Sequence, residues 1–163
     1  MKTLFLTRHG KTNRRESGMK DFDRALTDRG KSDVLLVVRE LKKLRLIPEL
    51  LLSSPARRAV ETTGQILQEW PFLQVKTLDF LYGYFTWETF ISQLQLNCGG
   101  INRLMVVGHN PAMSEIGASL TGNYGGHLPT SGTYVIDFEV GDWNEIVKRS
   151  GHLREFIYPA MFR

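Results

Sequence analysis

Two histidines of this chain stand in the same position relative to an apolar segment. His9 follows the segment 4–8 (LFLTR), and His109 follows the segment 104–108 (LMVVG). Each segment has the pattern of a buried β-strand, so each histidine is expected at the start of a loop. In open α/β sheets, ligands bind at the carboxyl ends of the parallel strands. Two imidazoles beside Arg8 and Gly10 therefore predict one site that binds an anion of the size of phosphate.

His9 has the chemistry of a nucleophile towards phosphorus. A neutral imidazole can attack when one ring nitrogen is deprotonated and an acceptor, such as a backbone carbonyl, holds the other. Arg8 offers a planar set of donors for phosphoryl oxygens, and Gly10 would let the backbone approach the ligand. Taken alone, this tripeptide is equally compatible with a surface histidine after a strand.

His109 is placed to assist rather than to attack. Asn110 and Pro111 predict a helix start, and helix N-terminal amides favour a nearby anion. The helix N-terminus lowers the pKa of an imidazole, whereas a bound phosphoryl group raises it. A protonated His109 could then donate to a phosphoryl oxygen and stabilise developing charge. The alternative is an incidental histidine in a capped turn.

The segment 52–59 (LSSPARRA) predicts a third contribution to the same edge. Ser54 is expected to cap a helix, with Pro55 at its first position. Cations are unfavourable at a helix N-terminus, so an arginine there is either exposed or retained for a ligand. Arg57 and Arg58 compete for this role, and only one of them can point inward.

Strand and helix patterns alternate along the chain, which is typical of an α/β fold. We predict a three-layer α/β/α sandwich with a mainly parallel central sheet and an antiparallel edge strand. The closing hairpin is expected at 134–140 and 143–148, after a loop over 122–132 that is long enough to reach the site. Strands are predicted at 3–7, 50–52, 74–78 and 103–107, and helices at 27–44, after Ser54, around Trp87–Leu94 and after Asn110.

Length and composition predict a single domain over residues 1–163. The apolar fraction of 42% and charged fraction of 23% are ordinary for a globular protein. No apolar run approaches the roughly 20 residues of a membrane span, and the N-terminus lacks a signal-peptide pattern. A single cysteine, Cys98, excludes an internal disulfide and is typical of a reducing compartment. The expected location is the cytoplasm.

The net charge of +4 is mild support for an anionic partner. Seven basic residues between Lys11 and Lys31 alternate with acidic ones, a pattern we interpret mainly as a solvated loop and helix start. No nucleic-acid-binding pattern accompanies them, so no nucleic acid partner is expected. The four histidines lack carboxylate or cysteine neighbours at ligand spacing, so no metal is predicted.

Three motifs, in order along the chain, resemble those of the histidine phosphatase (phosphoglycerate mutase-like) superfamily. They are Arg8-His9-Gly10, the segment 53–62 (SSPARRAVET) and the segment 107–111 (VGHNP). The resemblance spans nearly the whole chain and implies a phosphoglycerate mutase-like fold.

The resemblance implies His9 as the nucleophile, with Arg8, Arg58 and His109 as the phosphate pocket. It selects Arg58 over Arg57, because the family arginine lies three residues after the proline and precedes an alanine.

Within the superfamily, the short chain and the segments 25–30 (ALTDRG), 81–82 (LY) and 129–132 (PTSG) look most like SixA-type phosphohistidine phosphatases. Long insertions that cap the pocket of sugar-phosphate mutases have no room here, so an open site is implied. Thr130 or Ser131 resembles the position of a further phosphate hydrogen bond. Many relatives carry an asparagine where Arg15 stands in this chain. The substrate contacts implied are Gly10, Thr12, Asn13, Arg15, Thr130 and Ser131.

The general acid is the least defined part of the predicted site. Many ester phosphatases of this fold place a glutamate after the third strand, where this chain offers Asp79 as a possible acid. Glu88 is expected on the polar face of its helix. SixA-type enzymes are similar in lacking the usual glutamate, and a protonated phosphoramidate nitrogen leaves without a strong enzyme acid.

These observations predict a metal-independent and cofactor-independent phosphatase. It would act through a phospho-His9 intermediate on phosphohistidine of a phosphocarrier or phosphorelay protein. Tyr82 and Tyr84 follow the third strand and could contact such a protein or pack in the core. A small-molecule phosphomonoesterase, acting on a sugar phosphate or nucleotide with Asp79 as acid, is one alternative. A non-catalytic phosphate-binding module is the other.

Overall fold

The computed structural model describes residues 1–14 and 16–163; Arg15, a predicted substrate contact, lies outside the described residues. None of the described helices is long and apolar enough to cross a membrane. The strands are β1 (Lys2–Arg8), β2 (Leu50–Ser53), β3 (Gln74–Thr77), β4 (Arg103–Gly108), β5 (Thr133–Phe138) and β6 (His152–Ile157). The helices are α1 (Asp28–Lys43), α2 (Arg57–Glu69), α3 (Trp87–Cys98) and α4 (Ala112–Thr121).

The six described strands form one sheet in the order β3-β2-β4-β1-β5-β6. The first four run parallel, while β5 is antiparallel to β1 and β6 is antiparallel to β5. The predicted sheet, mainly parallel with an antiparallel edge, is confirmed.

Helices cover both faces of this sheet. Leu4 and Leu6 of β1 pack in the apolar layer formed with α3 and α4. Phe5, between them, packs in the opposite layer with α1 and α2. Burial from both sides explains why the buried parts of β1, β2 and β4 are continuous apolar runs rather than alternating ones, whereas the edge strand β3 is only partly buried and carries polar residues. The predicted three-layer sandwich is therefore confirmed.

The register of the central strands aligns the ends of three strands. In the β1–β4 pair Arg8 lies opposite Gly108, and in the β2–β4 pair Ser53 lies opposite Val107. The residues that follow β1, β2 and β4 therefore emerge side by side at the carboxyl edge of the sheet.

The strand predicted at 143–148 is wrong. Residues Trp143–Glu145 form a short 3₁₀ turn, and the last strand is β6. Trp143 and Ile146, three residues apart, are both buried in the layer of α3. The indole Nε1 of Trp143 donates to the carbonyl of Ile101 at 2.9 Å. A spacing of three suits a helical turn, whereas a strand would need alternation.

Of the predicted helix starts, that of α1 is confirmed and that of α2 is wrong. Thr27 caps α1 by accepting a hydrogen bond from the amide of Gly30 at 2.9 Å. Helix α2 begins at Arg57, with Ala56 at its cap position and no side-chain cap. Ser54 lies two residues before the cap position of α2. Its hydroxyl accepts a hydrogen bond from the amide of Ala56 and contacts His109, so it does not cap the helix.

The first turn of α1 packs directly against the loop after β1. A Cβ on Gly30 would overlap the carbonyl of Lys11 and lie 2.9 Å from its amide nitrogen. Since the amide of Thr27 donates to that same carbonyl, the contact holds the His9 loop against α1. Only glycine leaves room for it.

We expect Gly30→Ala to lower the free energy of unfolding by about 2 kcal/mol or more, because the added methyl meets rigid backbone. Gly64→Ala is the matched control, since Gly64 lies in α2 with open space around its Cβ position. It should raise the free energy of unfolding by about 0.5–1 kcal/mol through helix propensity. Urea denaturation measures both. Equal effects would contradict the packing assigned to Gly30.

Candidate active site

A cavity of about 610 Å³ opens at the carboxyl edge of the sheet, where β1, β2 and β4 end. A smaller cavity of about 160 Å³ beside α4 is lined by uncharged residues such as Tyr134 and Phe156. The larger cavity brings together six residues that the sequence predicts for the site: Arg8, His9, Thr12, Arg58, His109 and Thr130.

The His9 ring is held in one tautomer. Its Nδ1 lies 2.7 Å from the carbonyl oxygen of Gly10, and a carbonyl can only accept, so Nδ1 carries the hydrogen. The Nε2 lone pair is therefore available for attack. Burial lowers the pKa of His9 to about 3, against the raising effect of its hydrogen bond to Gly10; this value includes smaller lowering effects of His109, Arg58 and Arg8. His9 is thus neutral near pH 7.

The His109 ring lies against that of His9, with ring centroids 5.1 Å apart. Its Nε2 is 2.7 Å from the hydroxyl oxygen of Ser54, and its buried Nδ1 has no hydrogen-bond partner among residues 1–14 and 16–163. Burial, with a smaller contribution from Arg58 and Arg8 and against the opposing effect of Asp21, lowers the pKa of His109 to about 4. An anion bound beside this ring would raise that pKa and favour its protonation.

Two arginines border the histidines from different elements. Arg58, in the first turn of α2, is only 6% exposed and lines the cavity. Arg57 is exposed and pairs with Glu61 at 3.5 Å, so the structure turns Arg58 inward, as the resemblance implies. Arg8, at the end of β1, donates to the carbonyl of Leu128 at 3.2 Å. Burial and the charge of Arg58 lower the pKa of Arg8.

Unpartnered buried polar atoms concentrate around this cavity. Six buried side-chain nitrogen or oxygen atoms lack a hydrogen-bond partner among the described residues, and four of them belong to cavity-lining residues. A buried polar atom without a partner costs about 1–3 kcal/mol, so these atoms are expected to serve a ligand. The four are the Nε atoms of Arg8, Arg24 and Arg58 and the Nδ1 of His109.

The cavity also contains residues from the charged segment that the sequence analysis interprets as mainly solvated. Asp21 accepts from Arg58 at 3.0 Å and from the hydroxyl of Tyr82 at 2.9 Å. Lys11 and Arg24 complete this wall. The only signal for these residues is their charge, because no periodicity or motif distinguishes Asp21 from its exposed neighbours.

Other predicted contacts lie beside the cavity rather than in its lining. Gly10 donates its amide to Thr62, and a Cβ there would lie 3.0 Å from the carbonyl of Gly30. Close packing against α1 accounts for glycine at this position, and the contact of Gly10 with substrate stays a prediction. Asn13 lines a separate surface pocket. Ser131 is buried with a positive φ of 62°, and its amide donates to the carbonyls of Arg8 and His9.

The two carboxylates that follow β3 stay outside the cavity. Asp79 begins a short 3₁₀ turn and is exposed, and it is not part of the cavity lining. Glu88 is exposed in the first turn of α3, as expected. Asp79 is therefore not placed to protonate a leaving group in this structure.

Comparison with known proteins gives a consistent result. Residues 4–85, half of the chain, match the model of the histidine phosphatase superfamily (branch 1). Structures of SixA proteins match nearly the whole chain. One is a protein from Agrobacterium tumefaciens provisionally assigned as phosphohistidine phosphatase SixA. Its identity is 26%, with 97% of this chain and 98% of that chain covered and a TM-score of 0.83.

Other matches extend beyond SixA proteins. An Escherichia coli protein provisionally assigned as an α-ribazole-5′-phosphate phosphatase is 19% identical, covers 94% and 96% of the two chains, and has a TM-score of 0.71. An uncharacterized chloroplastic protein of Arabidopsis thaliana is 25% identical over 73% of this chain, and the match spans 59% of that relative's length.

The buried neutral histidines predict that acid destabilises the protein. The pKa of His9 falls from 6.5 in the unfolded chain to about 3 in the fold. Between these values the unfolded state binds more protons, so the free energy of unfolding decreases as pH falls. In His9→Gln the decrease between pH 7 and pH 5 should be smaller by about 2 kcal/mol.

Urea denaturation in a phosphate-free buffer at both pH values measures this difference. His152→Gln, at an exposed position of β6, controls for the loss of one surface histidine. An equal pH dependence in wild type and His9→Gln would contradict the neutral, buried state assigned to His9.

Proposed function

This chain belongs to the histidine phosphatase superfamily, and on that premise we propose that it is a phosphatase acting through a phosphohistidine intermediate at His9. Its proposed substrate is phosphohistidine on another protein. The observation that carries the proposal is that Arg8, Arg58 and His109 line the same cavity as His9, while the Nε atoms of both arginines and the Nδ1 of His109 are buried without partners among the described residues.

In the first step, the Nε2 lone pair of His9 attacks phosphorus in line with the bond to the leaving group. A His9–phosphorus bond forms, and the bond to the leaving group breaks with its electron pair. The carbonyl oxygen of Gly10 accepts a hydrogen bond from Nδ1–H of His9 and keeps the proton there. The same hydrogen bond stabilises the positive charge that develops on the ring. Positioning of this kind is the main protein contribution to phosphoryl transfer.

The negative charge on the phosphoryl oxygens is met by Arg8, Arg58 and His109. The unpartnered Nδ1 of His109 donates to one oxygen, while Ser54 holds Nε2 at 2.7 Å. Water then attacks phosphorus, the bond to His9 breaks and its electron pair returns to Nε2. The proton released by the water leaves with phosphate or solvent, which regenerates neutral His9.

The position of the carboxylates favours a phosphoramidate over an ester. An alkoxide leaving group needs a general acid, and Asp79 is exposed outside the cavity lining. A phosphohistidine substrate instead brings its own proton on the leaving imidazole. The cavity is also open at its mouth, where the side chain of Asp21 is 42% exposed, so a residue on a protein surface could enter.

The first test is a turnover assay in EDTA that compares a phosphohistidine protein with p-nitrophenyl phosphate and several sugar phosphates. We expect faster release of phosphate from phosphohistidine, acid-labile labelling of the enzyme during turnover, and loss of both in His9→Ala. Efficient turnover of sugar phosphates would favour the small-molecule alternative. No turnover of any substrate would leave only a phosphate-binding module.

The adjacent arginines provide a matched pair of variants. Arg58→Ala removes a buried donor from the phosphate pocket and should lower kcat about 10²-fold, as expected for one charge-stabilising donor. Arg57→Ala removes an exposed arginine from the same helical turn and should leave kcat within about twofold. Steady-state kinetics on the fastest substrate measures both. Similar losses in the two variants would contradict the role proposed for Arg58.

A further inference from the structure

Of the described residues that line the cavity, only Asp21 is acidic. Its Oδ2 accepts from Arg58 at 3.0 Å and from Tyr82 at 2.9 Å, and its Oδ1 accepts from Arg24 at 3.2 Å. The side chain of Asp21 is 42% exposed, whereas that of Arg58 is 8% exposed. The carboxylate therefore lies on the solvent side of the Arg58 guanidinium, towards the cavity mouth.

This carboxylate cannot serve as a general acid. Burial raises the pKa of Asp21, but the hydrogen bonds from Tyr82 and Arg58 together outweigh that effect and lower it to about 2. Asp21 is therefore negative at neutral pH. A fixed negative charge beside a phosphate pocket repels the phosphoryl group, so it weakens binding of the phosphate itself. Its presence is explained if another part of the substrate is positively charged.

One aromatic residue of the cavity lining, Tyr82, contacts the carboxylate, and a second ring, that of Phe22, packs on Tyr82 outside the lining. Phe22, the residue after Asp21, is 38% exposed and packs edge-on against Tyr82, with ring centroids 5.1 Å apart at 88°. The Tyr82 ring in turn lies edge-on to His109 at 5.7 Å. Aromatic faces beside a carboxylate attract a flat cation. We call this group the leaving-group cluster; it consists of Asp21, Phe22 and Tyr82.

The direction of attack places the leaving group at this cluster. His9 is 7% exposed at the bottom of the cavity, and an in-line attack sends the leaving group away from it, towards the open mouth. The phosphoryl group and Asp21 would then share one guanidinium, that of Arg58. Two of the five N–H groups of Arg58 bind Asp21, which leaves its buried Nε–H and others for phosphoryl oxygens.

We infer that the leaving-group cluster recognises the protonated imidazole ring of a phosphohistidine side chain and keeps its proton in place while the phosphorus–nitrogen bond breaks. This inference rests on the proposed function. In the substrate, one ring nitrogen bears the phosphoryl group and the other bears the proton, which Asp21 accepts as a hydrogen bond. When His9 Nε2 bonds to phosphorus, the electron pair of the broken bond stays on the leaving ring. The ring departs as neutral histidine with its proton still attached.

The electrostatic effect has a useful size. An imidazole with an ordinary pKa near 6.5 is mostly neutral above pH 7. Lys11, Arg24 and Arg58 in the same lining lower the pKa of a bound imidazole, and the ionised carboxylate of Asp21 opposes them. Compared with the same site without Asp21, a carboxylate in hydrogen-bond contact at a partly solvated site raises that pKa by about one unit, which makes the reactive protonated form about tenfold more abundant. A phosphate ester gains nothing from this, because its leaving oxygen carries no cation. Asp21 is thus assigned as a residue that determines specificity.

The test compares kcat/KM for phosphoimidazole with kcat/KM for p-nitrophenyl phosphate, whose leaving group departs as an anion. We expect Asp21→Asn to lower the ratio of phosphoimidazole to ester about tenfold. Asp21→Glu keeps the charge and should recover part of the ratio. Asp23→Asn, an exposed carboxylate on the same 3₁₀ turn, should leave the ratio unchanged. Ester turnover by each variant also reports that it is folded.

The possible outcomes separate the inference from the function it rests on. If wild type turns over neither phosphoimidazole nor a phosphohistidine protein, the proposed function fails and the inference fails with it. If it turns over the protein alone, the ring by itself is not recognised and the inference alone is overturned. If wild type turns over phosphoimidazole but Asp21→Asn lowers both activities equally, Asp21 only positions Arg58 and the inference alone is overturned. Equal gains on both substrates would overturn it as well, since Asp21 would then act only by repelling the phosphoryl group.

Discussion

The pairing of β1 with β4 is the constraint on which the candidate site depends. Because Arg8 lies opposite Gly108, the two strands end at the same level, and the amide of His9 donates to the carbonyl of Gly108 at 3.1 Å. This brings the two histidine rings within 5.1 Å of each other. A slip of one residue would turn every β1 side chain to the other face, so burial of the apolar layers on both faces also fixes the site.

The site combines neutral histidines with arginine Nε atoms that lack partners among the described residues, and both properties have one cause. Burial at the sheet edge lowers the pKa values of His9 and His109 and leaves donors on Arg8 and Arg58 without partners among the described residues. Such an arrangement costs folding free energy, which the two apolar layers must offset. The same low-dielectric surroundings strengthen the attraction for an anion, so the destabilising feature is also the one that would bind phosphate.

The position of a residue could be predicted from the sequence where a local pattern fixes it. It could not be predicted where a contact with a distant part of the chain fixes it. His9 and His109 follow continuous apolar strands, and the proline before Arg58 marks its helix. The predicted strand at 143–148 fails because Trp143 and Ile146 are spaced for a turn and pack against α3. Asp21 has no local signal, because its place is set by Arg58, 37 positions away, and Tyr82, 61 positions away.

The amino-acid sequence by itself determined the fold class, the family and the residue types of the proposed phosphate pocket. These follow from apolar periodicity and from motifs a few residues long, which are local properties of the chain. Only the tertiary structure decided which strands are neighbours, that Asp79 stays outside the cavity, and that Asp21 enters it beside Arg58. Those outcomes depend on packing and electrostatic contacts between residues far apart in the chain, which no local pattern encodes.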